Sequence, residues 1–239
     1  MRPRCLPLLL LLAACAPSNA DRDGADSGAP LLGADGAGGD PASSPAAASD
    51  IEGRAWVMDM ASGRVTAPSG LGELLVEEFF YGAAPLLGVT TARDGAVEAL
   101  AGMAYARDGV QDPCVATQPL RGVYDPDAGR LTLTADRAAL EIAGLPLVLS
   151  EVALWLSLTP DRTEADAVGL EAVLDLRADD GIIDLLGARG PEDACMVMET
   201  FGLHCEACAD GAALCIDVAL DGYRAVAAPA SVTAVDEGC

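Results

Sequence analysis

Apolar and polar residues alternate along much of the chain after residue 50. In one stretch, Val152, Leu154, Leu156 and Leu158 occupy every second position and therefore share one face of a strand. Strands with one apolar and one polar face are typical of antiparallel sheets, in which one side of the sheet is wet. The same alternation recurs in four further stretches, at residues 56–60, 131–134, 170–177 and 216–221.

The most apolar stretch, residues 143–158, contains Pro146 and Glu151. It is shorter than the roughly 20 residues that a helix needs to cross a bilayer. We therefore expect a buried strand, or two strands joined at a bend.

Residues that favour tight turns separate these stretches. Asp94-Gly95 joins two apolar runs, which is a strong hairpin signal. Residues 125–129 read Asp-Pro-Asp-Ala-Gly, in which proline fixes φ and glycine permits a positive φ. Residues 159–162 and Asp210-Gly211 predict two more turns. The pattern predicts a mainly β fold, an antiparallel barrel or sandwich of about eight strands.

Two short helices are expected to close one end of this fold. Ser69 can cap a helix over residues 70–81, which carry apolar residues at helical spacing. Asp179 or Asp180 can cap a second helix that ends before Gly187.

Composition adds an aliphatic core and a strong negative charge. Hydrophobic residues make up 51% of the 239 residues but aromatic residues only 4%, so alanine, valine and leucine must fill the core. The formal net charge is -23, and all 14 basic residues are arginine. Such a field repels phosphate, which argues against nucleic acid and against adsorption of the domain on anionic lipid. We interpret the acidic residues as a solubilising surface rather than as a cation site.

The N-terminus carries an export signal. Arg2 and Arg4 precede an apolar run over residues 6–12, and small residues follow. Leu12-Ala13-Ala14-Cys15 resembles the lipobox of bacterial lipoproteins, a resemblance that covers only the first 15 residues. It implies that residues 1–14 are a signal peptide removed before Cys15. It also implies that Cys15 receives a diacylglyceryl group and that its new amine is often acylated, for example with palmitate.

The resemblance implies a membrane anchor. Each methylene buried in lipid contributes about 0.8 kcal/mol, so two or three acyl chains hold firmly. Ala16 stands where an aspartate would follow Cys15, and this is similar to lipoproteins sent to the outer membrane. We therefore expect a lipoprotein of the cell envelope, at the outer membrane and facing the periplasm or the exterior. The alternative is an ordinary signal peptide cleaved after Ala20.

Residues 15–50 are expected to form a disordered tether between the lipid and a β-rich domain at residues 51–239. The segment after Cys15 consists almost wholly of alanine, glycine, aspartate, serine and proline, and cannot bury enough apolar area to offset its ordering entropy. Asp21, Asp23 and Asp26 alternate as in calcium loops, but the rest of such a loop is missing.

Six cysteines follow the tether, and an even number in an exported domain predicts three disulfides. They are Cys114, Cys195, Cys205, Cys208, Cys215 and Cys239. Six cysteines allow 15 pairings, among which we favour Cys208 with Cys215, because they flank the Asp210-Gly211 turn. Cys239, the last residue, is suited to fasten the chain end.

Two other chemistries are open to the cluster from Cys195 to Cys215. His204, Cys205 and Cys208 offer ligand types that suit zinc. Cys205 and Cys208 also have the spacing of a redox pair. An oxidising compartment favours disulfides over both.

No enzyme signature stands out in the chain. His204 is the single histidine, no G-x-S-x-G or H-E-x-x-H motif occurs, and a chain without lysine has no phosphate-binding P-loop. We therefore expect a non-enzymatic lipoprotein without a cofactor, with an apolar small molecule or lipid bound inside the β domain.

A structural or protein-interaction module of the envelope is the first alternative. It predicts a filled core without a pocket of about 300 Å³ or more. A metal-binding or redox protein that uses the Cys195–Cys215 cluster is the second alternative.

Overall fold

The structure is a computed structural model that describes residues 48–68, 82–106, 108–142, 145–200 and 202–236. Nine strands and two α-helices lie in these ranges: β1 (Ala55–Asp59), β2 (Arg64–Ala67), β3 (Ala83–Arg93), β4 (Ala96–Tyr105), β5 (Gln118–Asp125), β6 (Arg130–Ile142), β7 (Leu145–Leu158), β8 (Glu164–Asp175), α1 (Asp180–Leu185), α2 (Pro191–Glu199) and β9 (Cys215–Ala227). Short 3-10 turns cover Ala48–Ile51 and Leu176–Ala178.

The strands close into an antiparallel barrel with eight positions around its circumference. Strands β3 to β9 pair in chain order, and β1 pairs with both β3 and β9, which closes the ring. Strand β2 continues beside β9 where β1 ends, with Val57 opposite Val226 and Val65 opposite Leu220. Strands β1 and β2 therefore act as one interrupted strand. The predicted mainly β fold is confirmed, and it is a barrel rather than a sandwich.

Three of the predicted turns connect neighbouring strands at one end of the barrel, here called the base. Asp94 and Gly95 both have positive φ between β3 and β4, and Gly129 has φ 62° between β5 and β6. In the turn between β7 and β8, Asp161 accepts hydrogen bonds from Thr159 and Thr163, and these bonds lower its pKa to about 2. The sequence placed these three turns correctly.

Residues 145–158 of the most apolar stretch form strand β7. It is one strand with a bulge, because the register with β8 shifts between Ser150 and Ala153 and Glu151 has φ 53°. The bulge lets the alternation restart at Val152, so Leu149 and Val152 both face the barrel interior although three positions separate them. Residues 143–144 lie outside the described residues.

The end of the barrel opposite the base carries the long connection between β8 and β9. This connection, residues 176–214, is here called the cap, and it contains α1 and α2. Helix α1 is capped by Asp179, as one of the two sequence predictions has it. Helix α2 was missed, because its five apolar residues, 194–198, are consecutive and show no helical spacing. The helix predicted over residues 70–81 lies outside the described residues.

The chain after β9 returns along the outside of the barrel and buries Val57, which alternates with Trp56 and Met58 and therefore lies on the outer face of β1. Val232 packs against Ala55, Val57 and Leu86 in a small outer cluster. Gly88 permits this approach, because a Cβ there would collide with Val232. Three hydrogen bonds join Thr117 to Val235: Thr117 N and Oγ1 donate to Val235 O at 2.9 and 3.4 Å, and Val235 N donates to Thr117 Oγ1 at 3.0 Å.

Candidate ligand cavity inside the barrel

Two layers of apolar side chains fill the two ends of the barrel and leave a space between them. The first layer, here called the base cluster, includes Trp56, Leu131, Leu133 and Leu156, each fully buried. The second joins the upper strands to the cap through Leu174, Leu176, Ile182, Ile183, Ala194, Met198 and Leu203. The alternation of apolar residues builds both layers, because every inward position of every strand points toward the barrel axis.

The space between the layers is a cavity of about 240 Å³. It is larger than an engineered apolar cavity of about 150 Å³ that binds benzene. It is smaller than the pockets of about 300–1,000 Å³ that hold drug-sized ligands. With about 30 Å³ for each water-sized group, the cavity has room for a chain of about eight carbon atoms.

The described residues that line the cavity are almost uniformly aliphatic. Leucine, valine, isoleucine and alanine from the strands make up most of the wall. Four methionines also line it: Met58, Met60, Met103 and Met198. Methionine is unbranched and polarizable and adapts to irregular shapes, so the wall can adjust to a flexible apolar occupant. Tyr223 is the single lining residue whose side chain carries an oxygen or nitrogen atom, within the described residues.

The lower side of the cavity rests on a rigid, hydrogen-bonded base. Trp56 Nε1 donates to the backbone oxygen of Arg162 at 3.1 Å. Arg162 is 7% exposed, and its Nη1 donates to Thr159 O at 3.3 Å, which ties it to its own turn. Neither Trp56 nor Arg162 lines the cavity. The buried guanidinium therefore belongs to the closure of the base.

The roof of the cavity is the cap, which contributes Ile182, Met198 and Leu203. Asp179, 2% exposed, holds this roof to the barrel wall. Its carboxylate accepts from Ile182 N at 3.0 Å, which caps α1, and from Val148 N at 2.9 Å, which joins α1 to β7. A single side chain thus satisfies two backbone donors from two elements.

Two disulfides brace the cap. Cys195 on α2 is bonded to Cys205, and Cys208 is bonded to Cys215 at the start of β9. The predicted Cys208–Cys215 pair is confirmed, and the predicted turn at Asp210-Gly211 lies between its two cysteines, where Gly211 N donates to Cys208 O. Since α2 carries Met198, the first bridge fixes one wall of the roof.

The cluster from Cys195 to Cys215 holds no thiol pair of the kind that zinc or redox chemistry needs. Cys205 and Cys208, predicted as possible zinc ligands or as a redox pair, belong to two different disulfides. In the described ranges, the one group of three ligand-type side chains close enough to share an ion is Asp175 with Cys208 and Cys215. The two sulfurs of this group are bonded to each other. His204 does not belong to the group.

An ion-pair network fastens the cysteine loop to the barrel. Arg177 Nη2 lies 2.6 Å from Asp175 Oδ2, and Arg177 Nη1 lies 2.5 Å from Asp210 Oδ2. Hydrogen bonds from the guanidinium lower the pKa of both carboxyl groups, and the two carboxylates raise the pKa of Arg177. The network therefore stays charged over the whole neutral range and helps to hold the cap on the barrel.

The remaining predicted site residues lie apart from the cavity or outside the described residues. Cys114 is disulfide-bonded, as predicted. Cys15 and Cys239 lie outside the described residues, so the lipidation site and the stapled chain end stay predictions.

Comparison with known proteins gives no relative. No protein-family model matches the chain, and neither the curated proteins nor the solved structures contain a match. Within the described ranges, the helices fall short of the length and hydropathy required to span a bilayer. The function must therefore be argued from the cavity itself.

The cavity was predicted from the sequence only as a class of site. Alternation marks which residues face inward, but it does not tell which of them touch one another and which face an empty space. Ala101, Leu170 and Leu220 carry the same pattern as residues of the base cluster, yet they are only partly buried and line the cavity. The methionines were the sequence signal that could have located the cavity, since four of the chain's six line it.

Proposed function

We propose that this protein is a non-enzymatic lipoprotein of the bacterial cell envelope that binds an apolar ligand inside its barrel. The observation that carries the proposal is the cavity of about 240 Å³ with its aliphatic wall. An eight-stranded barrel is just wide enough either to be filled by its own side chains or to hold one small ligand. This barrel is filled at both ends and open in the middle.

The size of the void supports an occupant on energetic grounds. With about 24 cal/mol for each Å³ of enclosed cavity, a dry space of this volume lowers stability by at most about 6 kcal/mol. The free energy of unfolding of a domain is typically only about 5–15 kcal/mol, so a cost of this size is a large fraction of it. A hydrocarbon chain in the cavity restores the missing contacts, and its transfer from water contributes about 0.8 kcal/mol for each buried methylene.

The anchor is a separate part of the proposal, and the resemblance of Leu12-Ala13-Ala14-Cys15 to a lipobox supports it. Acyl chains on Cys15 would keep the barrel beside a membrane, which is a source of apolar ligands. We expect radiolabelled palmitate to be incorporated into the full-length chain in a bacterial host and not into Cys15→Ala. Equal labelling of both chains, or a mature N-terminus other than Cys15, would overturn the anchor and leave the cavity proposal standing.

Ligand binding is tested with a series of straight-chain alcohols and the purified protein. We expect the affinity, measured by calorimetry, to rise about fourfold for each added methylene up to about eight carbons and then to level off. The rise reports transfer from water, and the plateau reports the cavity volume. Affinity that is independent of chain length, or absent throughout, would refute the proposal. Organic extraction of the freshly purified protein, followed by mass spectrometry, is expected to yield an apolar molecule in stoichiometric amount.

A variant pair separates binding in the cavity from adsorption on the surface. Ala101→Leu adds three carbons to the cavity wall and is expected to move the plateau to alcohols shorter by about three carbons. Val123→Ala removes an apolar side chain that is 59% exposed and is expected to leave the series unchanged. If both variants, or neither, alter the series, the alcohols do not bind in this cavity.

The alternatives receive less support from the geometry. The large exposed apolar residues of the described chain lie on six different segments, and two of them, Tyr105 and Val110, are neighbours through a backbone hydrogen bond: Tyr105, Val110, Val123, Leu185, Met196 and Val226. Zinc bound by cysteine needs thiolates, and a Cys205–Cys208 redox pair needs these two sulfurs to bond to each other. The four cysteines from Cys195 to Cys215 instead form the Cys195–Cys205 and Cys208–Cys215 disulfides.

A further inference from the structure

The chemistry of the cavity wall restricts the head group of its ligand. A carboxylate or phosphate in the cavity would leave water and would need hydrogen-bond donors or a cation in exchange. The described lining holds no arginine, histidine, serine, threonine, asparagine or glutamine side chain. Tyr223 carries the one hydroxyl of this lining, and the residue already interacts with another group.

Three arginines with described polar contacts make those contacts away from the cavity. The buried Arg162 bonds to Thr159 in the base turn. Arg177 lies between two aspartates in the cap, and the exposed Arg121 lies 3.8 Å from Glu98 on the outside of the barrel. None of the three lines the cavity.

The negative charge of the whole chain also disfavours anionic ligands, as the lack of donors in the cavity wall does. Its 37 acidic residues against 14 arginines give a formal charge of -23. Summed charges of this kind produce surface potentials of several kT. An anionic head left in water outside the cavity, with its chain inside, would be repelled by this field.

We propose that the barrel takes the hydrocarbon chain of an uncharged or cationic amphiphile and rejects anions such as fatty acids. This inference rests on the proposed function and specifies its ligand class. A neutral head group outside the cavity is not repelled by the acidic surface, and a cationic head group is attracted by it. The chain itself fills the aliphatic space in all cases.

Three ligands with the same eight-carbon chain test the inference: octanol, octylamine and octanoate. Near neutral pH octylamine is a cation and octanoate an anion, and each is titrated by calorimetry into the full-length protein. At about 0.01 M salt, where the screening length is about 30 Å, we expect octanoate to bind about 20-fold more weakly than octanol, which corresponds to a potential of about three kT. Octylamine is expected to bind at least as tightly as octanol.

A repeat at about 1 M salt separates the two causes, because screening then acts within about 3 Å. Discrimination against octanoate that fades assigns the effect to the acidic field, and discrimination that persists assigns it to the lack of donors in the wall. Octanoate that binds as tightly as octanol at low salt would overturn this inference alone, since the cavity would still take the chain. Failure of all three ligands to bind would overturn the proposed function together with it.

Discussion

Filling the cavity should make the protein more stable, whereas the same substitution in a packed layer should make it less stable. Ala101 lines the cavity from β4 and is only partly buried, because open space lies in front of its side chain. Ala165 on β8 is 1% exposed, belongs to the base cluster and does not line the cavity. The substitutions Ala101→Leu and Ala165→Leu therefore add the same three carbons to an empty and to a full environment.

The expected magnitudes follow from burial and packing. Three buried carbons contribute about 2.4 kcal/mol at about 0.8 kcal/mol each. Fixing the leucine side chain costs about 0.5–1 kcal/mol of rotamer entropy. Ala101→Leu is therefore expected to raise the free energy of unfolding by about 1.5 kcal/mol. Ala165→Leu overpacks the base and is expected to lower it by about 1–3 kcal/mol.

Urea denaturation of the ligand-free protein, monitored by circular dichroism, measures the change in stability for both variants. The slope with denaturant should stay constant, so that the shift in midpoint reports stability alone. Destabilisation by Ala101→Leu as large as that by Ala165→Leu would show that the space inside the barrel is not open. Such a result would refute the reasoning from the cavity, and with it the basis for ligand binding.

Three further predictions concern the cap and one base turn. Asp179→Ala is expected to lower the unfolding free energy by about 1–3 kcal/mol, because two backbone donors lose their acceptor, whereas Asp180→Ala is expected to be near neutral in the same urea titration. Replacement of Cys208 and Cys215 by serine together should cost about 2.5 kcal/mol by chain entropy, and an unchanged midpoint would contradict this. The pKa of Asp161 is lowered from 3.8 to about 2, so its contribution to stability is present above pH 3.8 and is lost as the pH falls toward 2. Asp161→Asn should therefore lower Tm at neutral pH, and calorimetry should find the difference from the parent chain vanishing near pH 2; a difference independent of pH would contradict the assignment.

The strand pattern could be predicted because each strand obeys a local rule. The inward residues repeat every second position over residues 152–158 of β7 and 168–174 of β8, and the Asp94-Gly95 turn requires the positive φ that it shows. Helix α2 could not be predicted in the same way. Five of its nine residues are apolar, but they are consecutive rather than spaced as on one helix face, and the helix is held by burial of Ala194, Cys195 and Met198.

The local pattern of β1 also failed to show that Val57, on the outer face of the strand, is buried. Val57 follows the rule for a solvent-facing residue, but the chain after β9 covers it, with Val232 packed over Gly88. Contacts between positions so far apart in the chain depend on how the barrel closes, and no short stretch of sequence contains that information.

The sequence by itself determined the antiparallel β class, the base turns and the acidic, aliphatic character of the chain, and it favoured the Cys208–Cys215 bridge without excluding the other pairings. Each of these depends on neighbours in sequence or on composition alone. Only the tertiary structure decided that the strands close into a barrel, that Asp179 joins the cap to β7 and that the middle of the barrel stays unfilled. A cavity is a difference between the volume that the backbone encloses and the volume that the side chains occupy, and the enclosed volume exists only once the ring of strands is closed.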